Sequence, residues 1–173
     1  MTSDASTGVP TCDTTGSPAA EAATYRVPLR WRDLDSQGHV YHAEYLSLAD
    51  EGRTRWLGET LGLRNPQSYV IAHLSIDYVA ELNHAAEHVE FSAIVERVGT
   101  KSVRTQETLS IRSGSNSTIV VARITCVLLL WSPETRETRP LTDAERTALE
   151  LPLATSPRAP GSIDTSGFDR IGQ

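Results

Sequence analysis

Cysteines and long apolar segments are scarce in this sequence. Only two of its 173 residues are cysteines, Cys12 and Cys126, which is too few for a disulfide framework or a cysteine-based zinc site. No apolar run approaches the ~18–20 residues of a membrane-spanning helix. The N-terminus also lacks the basic and apolar regions of a signal peptide. We therefore expect a cytoplasmic protein that does not bind a membrane.

Positive charge is scarce as well. The chain has 16 Lys and Arg against 22 Asp and Glu, and its formal net charge is −6. A nucleic-acid-binding protein normally has a basic stripe, so we expect no nucleic-acid partner. A G-x-S-x-G nucleophile elbow, a P-loop and a G-x-G-x-x-G motif are all missing, which argues against α/β-hydrolases and nucleotide-binding folds. The histidines have no metal-ligand spacing, so we predict neither a metal nor an organic cofactor.

Three segments differ in composition. Residues 1–23 are almost all Ala, Ser, Thr, Gly, Pro and Asp, and residues 153–173 are similar. Such segments offer little apolar surface to offset the entropy lost on ordering, so we predict flexible tails at both ends. Residues 24–152 then form one domain.

Within this domain the hydrophobic period changes along the chain. Residues 42–61 place apolar residues at three- and four-residue spacing, which predicts an amphipathic helix that ends at Gly62. Alternating or continuous apolar patterns predict strands, and Thr142 with Glu145 forms a capping-box signature for a second helix. The predicted strands are 25–31, 69–82, 88–98, 101–112 and 117–131, and the short helix covers 141–150.

This order predicts an α+β fold in which one long helix packs on an antiparallel sheet of about five strands. In the strand 69–82, Ala72, Leu74, Ile76 and Tyr78 fall on one face, which we expect to be buried. Since one helix leaves apolar strand positions uncovered, a second copy of the chain is the simplest cover. We therefore expect a homodimer or a homotetramer.

The stretch RWRDLDSQGHVYHAEYLSLADEGRTRWL (30–57) resembles the signature region of the 4-hydroxybenzoyl-CoA thioesterase family. IDYVAEL, VERVGTKSV and VVARITCVLLLW resemble strands of that family, so the similarity covers nearly all of 24–150. The resemblance implies the hotdog fold and hydrolysis of an acyl thioester of coenzyme A or of an acyl-carrier protein. One departure is NHAAEH (83–88), where relatives often have Asp-Pro or Gly-Asp.

The resemblance also assigns residues. The catalytic carboxylate of the family falls on Asp35, and the backbone N–H that polarises the thioester carbonyl falls on His42. Asp50 matches a helix position that is often acidic in relatives. Residues that commonly contact coenzyme A fall on Gly99, Thr100, Lys101 and Ser102.

The residues themselves support such a site without proving it. A helix that starts near Tyr41 or His42 would place free N–H groups and a partial positive charge beside the loop of Asp35. Gly38 suits a positive φ or a close backbone approach. Tyr41, Tyr45 and Gly38 are therefore candidates for contact with the substrate. Asp35 could equally be a loop residue that makes local hydrogen bonds.

The chemistry leaves several alternatives open. Asp35 could activate water as a general base or attack the carbonyl as a nucleophile, and the His42 side chain could act as a second catalytic group or bond only to the helix end. A non-catalytic acyl-CoA-binding module or ligand sensor on the same fold is the alternative function, although it would need no carboxylate at Asp35. A hotdog dehydratase ranks lower because its His-carboxylate motif is absent.

Overall fold

The structure is a computed structural model that describes residues 23–113 and 117–150. The predicted C-terminal tail, the predicted N-terminal tail up to residue 22, and residues 114–116 between the predicted strands 101–112 and 117–131 lie outside the described residues.

One antiparallel sheet forms the body of the fold. Its strands follow the main order β1-β3-β4-β5-β2, and a two-residue strand β6 pairs with β5. The α+β prediction is confirmed: the long helix packs against β1 and β3 on one face of this sheet. The strands are β1 (Thr24–Pro28), β2 (Tyr69–Tyr78), β3 (His88–Val98), β4 (Ser102–Ser113), β5 (Ser117–Ser132) and β6 (Glu137–Thr138).

Helix α1 (Glu44–Leu61) presents its apolar residues to the sheet and ends at Gly62, which has a φ of 67°. At Gly52 the helix lies so near the sheet that an added Cβ would be 2.4 Å from Cβ of Phe91. A residue without a side chain is therefore needed at this position, because the helix backbone lies directly on the Phe91 ring.

Helix α2 (Asp143–Glu150) begins with the predicted capping box. Glu145 N–H donates to Oγ1 of Thr142 (3.2 Å), and Thr142 N–H donates to Oε2 of Glu145 (2.8 Å). Arg139 adds two hydrogen bonds to the same carboxylate, which lower the pKa of Glu145. These contacts fix the start of α2.

Five predicted boundaries were wrong. Strand β1 ends at Pro28 and not at residue 31, and helix α2 starts at Asp143 and not at residue 141. Helix α1 starts at Glu44 and not at His42, because residues 42 and 43 form a turn. The connection between β3 and β4 has three residues, 99–101, and not two. Strand β2 ends at Tyr78 and not at residue 82, since the chain then turns toward the loop that precedes α1.

The prediction for the buried face of β2 was only partly right, since Leu74 and Ile76 pack against the core but the other two residues are exposed. A register shift between Ile71 and His73 leaves Ala72 out of the pairing with β5. Leu74 is only half-buried and Tyr78 is 50% exposed. Because β2 is an edge strand and α1 lies mainly over β1 and β3, the described chain covers this part of the sheet only in part.

Candidate active site

The loop between β1 and α1 is fixed by its own backbone. Asp35 N–H donates to the carbonyl of His39 (2.8 Å), and Gly38 N–H donates to the carbonyl of Asp35 (3.2 Å). Val40 N–H donates to the carbonyl of Leu82 (2.8 Å), which ties the loop to the segment after β2. Gly38 has a φ of 83°, as predicted for this glycine.

The carboxylate of Asp35 bonds to this loop through one oxygen only. Its Oδ1 accepts hydrogen bonds from Gln37 N–H (2.8 Å) and His39 N–H (3.1 Å). Among the described residues Oδ2 has no hydrogen-bond partner. The N–H of Gln37 has the largest effect in lowering the pKa of Asp35, and the amide and ring of His39 lower it further. The carboxylate is therefore oriented, ionised and open on one side.

Asp33, the acid two residues before Asp35, has a structural role. Its carboxylate is fully buried, and it accepts hydrogen bonds from the backbone N–H (2.8 Å) and Nε (3.1 Å) of Arg30. Its carbonyl accepts the N–H of Tyr41 (2.8 Å). Asp33 thus holds both ends of the loop and leaves Asp35 free to face outward.

The start of α1 provides amide groups beside this loop. The His42 N–H has no hydrogen-bond acceptor within the described part of the chain, whereas Tyr41 accepts a hydrogen bond from Glu44 N–H (2.8 Å) at its carbonyl. The carbonyl of His42 accepts a hydrogen bond from the hydroxyl of Tyr78 (2.9 Å). The side chain of His42 is exposed and lies against the ring of Tyr41, 4.2 Å away.

An open cavity of about 390 Å³ adjoins the loop and the helix start. Its walls are His39, Tyr45, Tyr78 and residues 79–82. Tyr45 is buried and meets Tyr78 edge to face, with ring centroids 5.1 Å apart. Nε2 of His39 lies 3.3 Å from Oε1 of Glu81. The cavity thus combines aromatic surface with one polar pair.

Asp50 belongs to a different hydrogen-bond cluster. Its Oδ1 accepts a hydrogen bond from Nη1 of Arg53 (2.9 Å) and a longer one from the hydroxyl of Tyr69 (3.4 Å). The side chain is 57% exposed. Asp35 and Asp50 share no hydrogen-bond partner in the described residues, so the structure does not bring the two predicted carboxylates together through a common contact.

The predicted coenzyme A segment, residues 99–102, lies at the opposite end of the sheet from Asp35. The Asp35 loop follows β1 at Pro28, which pairs with His88 at the start of β3. The segment 99–102 comes after the eleven residues of β3, which span about 35 Å. Residues 99–102 are therefore too far from Asp35 of the same chain to touch the part of a substrate that lies at Asp35.

Backbone carbonyls of this hairpin are held by the C-terminal part of the domain. The carbonyl of Gly99 accepts a hydrogen bond from Nη2 of Arg146 (3.0 Å), and that of Thr100 accepts the N–H of Leu141 (2.9 Å). The Lys101 side chain is exposed and has no carboxylate partner among the described residues. The hairpin is thus fixed in shape and presents a free positive charge.

Three notable side chains were missed as site residues in the sequence. Tyr78 appeared only as one apolar position of a strand, Arg53 as an ordinary helix residue, and Arg146 as part of a short helix. Their partners lie 36, 54 and 47 residues away in sequence. No local pattern signals contacts of that separation, so only the tertiary structure reveals them.

In the described ranges no group of three or more His, Cys, Asp or Glu is placed to hold a metal ion. No helix in the same ranges is both long and apolar enough to cross a membrane.

The fold and this site define a class of protein, the hotdog thioesterases. The family model described as the thioesterase superfamily matches residues 37–124, which is just over half of the 173 residues. The chain therefore belongs to the thioesterase superfamily, and its class of activity is thioester hydrolysis. The match begins two residues after Asp35. No curated protein matches the sequence.

Solved structures resemble the whole domain. The PA2801 protein of Pseudomonas aeruginosa is 27% identical over 73% of this chain and 96% of its own, with a TM-score of 0.60. A Thermus thermophilus thioesterase complexed with coenzyme A and Zn is 24% identical over 73% of this chain and 90% of its own, with a TM-score of 0.62. A mutant 4-hydroxybenzoyl CoA thioesterase complexed with 4-hydroxybenzoyl CoA is 11% identical over 75% and 99%, with a TM-score of 0.63. The last two similarities show the fold alone.

Proposed function

We propose that this protein hydrolyses an acyl thioester of coenzyme A, with Asp35 acting on the thioester carbonyl and the His42 N–H binding the oxyanion. One observation carries the proposal. The Asp35 carboxylate is oriented through Oδ1 while Oδ2 is free, and in the turn that leads into α1 the His42 amide has no acceptor in the described chain. A base or nucleophile and an oxyanion donor are the two groups that thioester hydrolysis needs.

Two routes fit this pair of groups. As a nucleophile, Asp35 adds to the carbonyl carbon, the C–S bond breaks with departure of the thiolate, and water then hydrolyses the mixed anhydride. As a general base, Asp35 takes a proton from water, which attacks the carbonyl carbon directly; the tetrahedral intermediate then breaks its C–S bond, and the departing thiolate takes up that proton. The lowered pKa of Asp35 favours the ionised form that both routes require. In both routes, negative charge builds up on the carbonyl oxygen, where the His42 N–H would bind it.

Coenzyme A is the proposed thiol for two reasons: structurally similar proteins bind it, and the hairpin between β3 and β4 has an exposed positive charge. Relatives of the same fold hold coenzyme A or 4-hydroxybenzoyl CoA. Lys101 adds an exposed positive charge suited to a phosphate group. A thioester of an acyl-carrier protein is the alternative substrate. Tyr41, Tyr45 and Gly38 stay candidates for acyl contact, since Tyr45 lines the cavity beside the loop.

We further propose that the site forms between two copies of the chain. The edge strand β2 has ten residues and an unpaired side, and Ile71 and Tyr78 on it are 40% and 50% exposed. Antiparallel pairing of β2 with β2 of a second copy would form a two-fold dimer. Because Tyr69 lies at the hairpin end of the sheet and Tyr78 at the Asp35 end, this pairing would place residues 99–102 of one copy near Asp35 of the other.

The first test follows thiol release from acetyl, medium-chain, long-chain and aromatic acyl-CoAs. We expect the wild type to turn over at least one of them and Asp35→Asn to lose ~100-fold or more in kcat. Asp33 is buried and cannot serve as a control, so Glu150→Gln, an exposed acid at the end of α2 that the proposed site does not use, is the control variant. Circular dichroism checks the fold of each variant. Binding of acyl-CoA without turnover would instead support a non-catalytic sensor.

The second test asks whether one site uses two chains. Asp35→Asn and Lys101→Glu are assayed alone and after being mixed and reassembled, at substrate concentrations below KM. If the residues come from different chains, a mixed dimer has one intact site, and activity recovers to about a quarter of wild type. If both residues serve the same chain's site, mixing restores nothing. Light scattering gives the oligomeric state, and cell fractionation tests the predicted cytoplasmic location.

A further inference from the structure

A charged pair lies completely buried between α1 and the centre of the sheet. Arg53 and Glu107 are each 1% exposed. Nε and Nη2 of Arg53 donate to the two carboxylate oxygens of Glu107, at 2.8 and 2.7 Å, in a bidentate arrangement. The hydroxyl of Thr105, which is also fully buried, donates to Oε1 of Glu107 (2.9 Å). Every charged group of the pair is thus satisfied inside the core.

Such a pair is a costly way to attach a helix to a sheet. Removing two ions from water costs free energy that their attraction often fails to offset. Apolar residues of similar volume often give the folded protein equal or greater stability. Large apolar side chains fill the same interface, with Leu48, Trp56 and Phe91 fully buried, and the other polar contacts of α1 with the sheet are not fully buried. The buried pair therefore calls for a role other than adhesion.

The remaining arm of Arg53 points out of the core to Asp50. Nη1 donates to Oδ1 of Asp50 (2.9 Å), and this carboxylate is the only strongly exposed acid of the cluster. Tyr69 approaches the same oxygen from β2 (3.4 Å), and its hydroxyl is in turn bonded to Oγ1 of Thr54 (2.9 Å). Among the described residues Oδ2 of Asp50 has no partner. The cluster holds one oxygen and leaves the other free.

We propose that Arg53 is a positioning residue, which Glu107 and Thr105 hold rigidly so that it fixes the carboxylate of Asp50 for contact with the thioester or with the attacking water. Tyr69 supports the same orientation from the edge strand. This inference rests on the proposed thioesterase function and on the proposed β2 dimer, in which Tyr69 and Asp50 of one copy would lie toward Asp35 of the other. It adds to that site a second oriented carboxylate. A guanidinium fixed by a bidentate partner is a rigid donor, whereas a free arginine side chain would let Asp50 rotate.

The test uses a variant that removes the buried charges together. Arg53→Met, Glu107→Met and Thr105→Val in one chain leave no buried charge or hydroxyl of the cluster unpaired, so the core can stay folded. We expect this triple variant to lose kcat to the level of Asp50→Asn, roughly 10- to 100-fold, with little change in KM. Adding Asp50→Asn to the triple variant should cause almost no further loss, because both changes remove the same oriented carboxylate.

Tyr69→Phe is the mild variant, since it deletes one hydroxyl on a half-buried side chain. It should lower kcat only when Asp50 is intact. The double variant Arg112→Met and Glu90→Met is the matched control. It removes an ion pair between β4 and β3, in which Nε of Arg112 lies 3.0 Å from Oε1 of Glu90. The Glu90 carboxylate is buried and has no role in the proposed site. This control should keep the wild-type kcat.

The outcomes separate the two proposals. A wild type that turns over no thioester contradicts the proposed function and this inference with it. If Asp35→Asn abolishes turnover but Asp50→Asn or the folded triple variant keeps the wild-type kcat, the inference alone is overturned and the cluster is only structural. The inference is also overturned if the fold-losses in kcat of the triple variant and of Asp50→Asn multiply in the combined variant, because the two changes then act independently.

Discussion

The contact between Gly52 and Phe91 gives the sharpest test of how α1 is placed on the sheet. We predict that Gly52→Ala destabilises the protein and that Gly58→Ala, six residues along the same helix, stabilises it. Both substitutions add one methyl group at a helical position. An added Cβ at Gly52 would lie 2.4 Å from both Cβ and Cγ of Phe91, whereas one at Gly58 would lie 3.7 Å from its nearest contact, the carbonyl of Leu63.

The expected magnitudes follow from two opposing effects. Replacing a helical glycine with alanine adds about 1 kcal/mol of stability, because the unfolded chain loses conformational freedom. At Gly58 this gain stands alone. At Gly52 the overlap involves atoms of Phe91 next to its backbone, which no rotamer change can move away, so we take the upper part of the ~1–3 kcal/mol cost of overpacking. The net loss at Gly52 is then about 2 kcal/mol.

Thermal and denaturant unfolding of both variants measure this difference. At roughly 2–4 °C per kcal/mol for a chain of this size, Gly52→Ala should lower Tm by about 4–8 °C and Gly58→Ala should raise it by about 2–4 °C. Equal and positive shifts for the two variants would refute the proposed close approach of α1 to β3. They would also remove the reason why a helix facing the core has a glycine at its centre.

Three further predictions concern ionisable groups. The pKa of Asp35 is below its usual value near 4, so kcat/KM should stay level down to about pH 4 and fall only below it, where the carboxylate becomes protonated. The contribution of this carboxylate to stability is lost in the same range. A decline of kcat/KM between pH 6 and 5 in folded enzyme would contradict this prediction. Burial raises the pKa of Cys126 to about 11, so a Cys12→Ser variant should show no reactive thiol at pH 8 until it is denatured, and a fast native reaction would argue against the buried position. Arg53→Met alone should cost about 3–5 kcal/mol in urea unfolding because Glu107 is left buried and unpaired, whereas the triple variant should stay near wild type; equal losses would contradict this.

The sequence was informative where a signal is local. Periodicity predicted α1 and the main strands, Gly62 the helix end, and Thr142 with Glu145 the capping box, because each depends on residues within one or two turns. The errors came where tertiary contacts decide. The turn at residues 42 and 43 is held by Tyr78 from a distant strand. In NHAAEH, Glu87 adopts a φ of 55° although it is not glycine, and no pattern in the sequence predicted it.

The predicted site residues were read as one group, and the structure separates them into three places. Asp35 and His42 lie at one end of the sheet, Asp50 lies with Arg53 on the helix, and residues 99–102 lie at the other end. Family resemblance could not reveal this, because it maps positions along a chain and contains no distances. A residue that serves a neighbouring copy matches the family as well as one that serves its own chain.

The exposed face of β2 and the divided site have one physical explanation. A ten-residue edge strand with half-exposed apolar residues is unfavourable in an isolated chain, since it leaves both apolar surface and backbone groups uncovered. Pairing with a second β2 would cover this surface and would also bring Lys101 toward a partner's Asp35. Stability and catalysis would then depend on the same contact. A charge placed at Ile71, an exposed apolar residue of β2, should therefore reduce dimer formation and activity in parallel, whereas activity retained by a folded monomer would show that one chain holds the complete site.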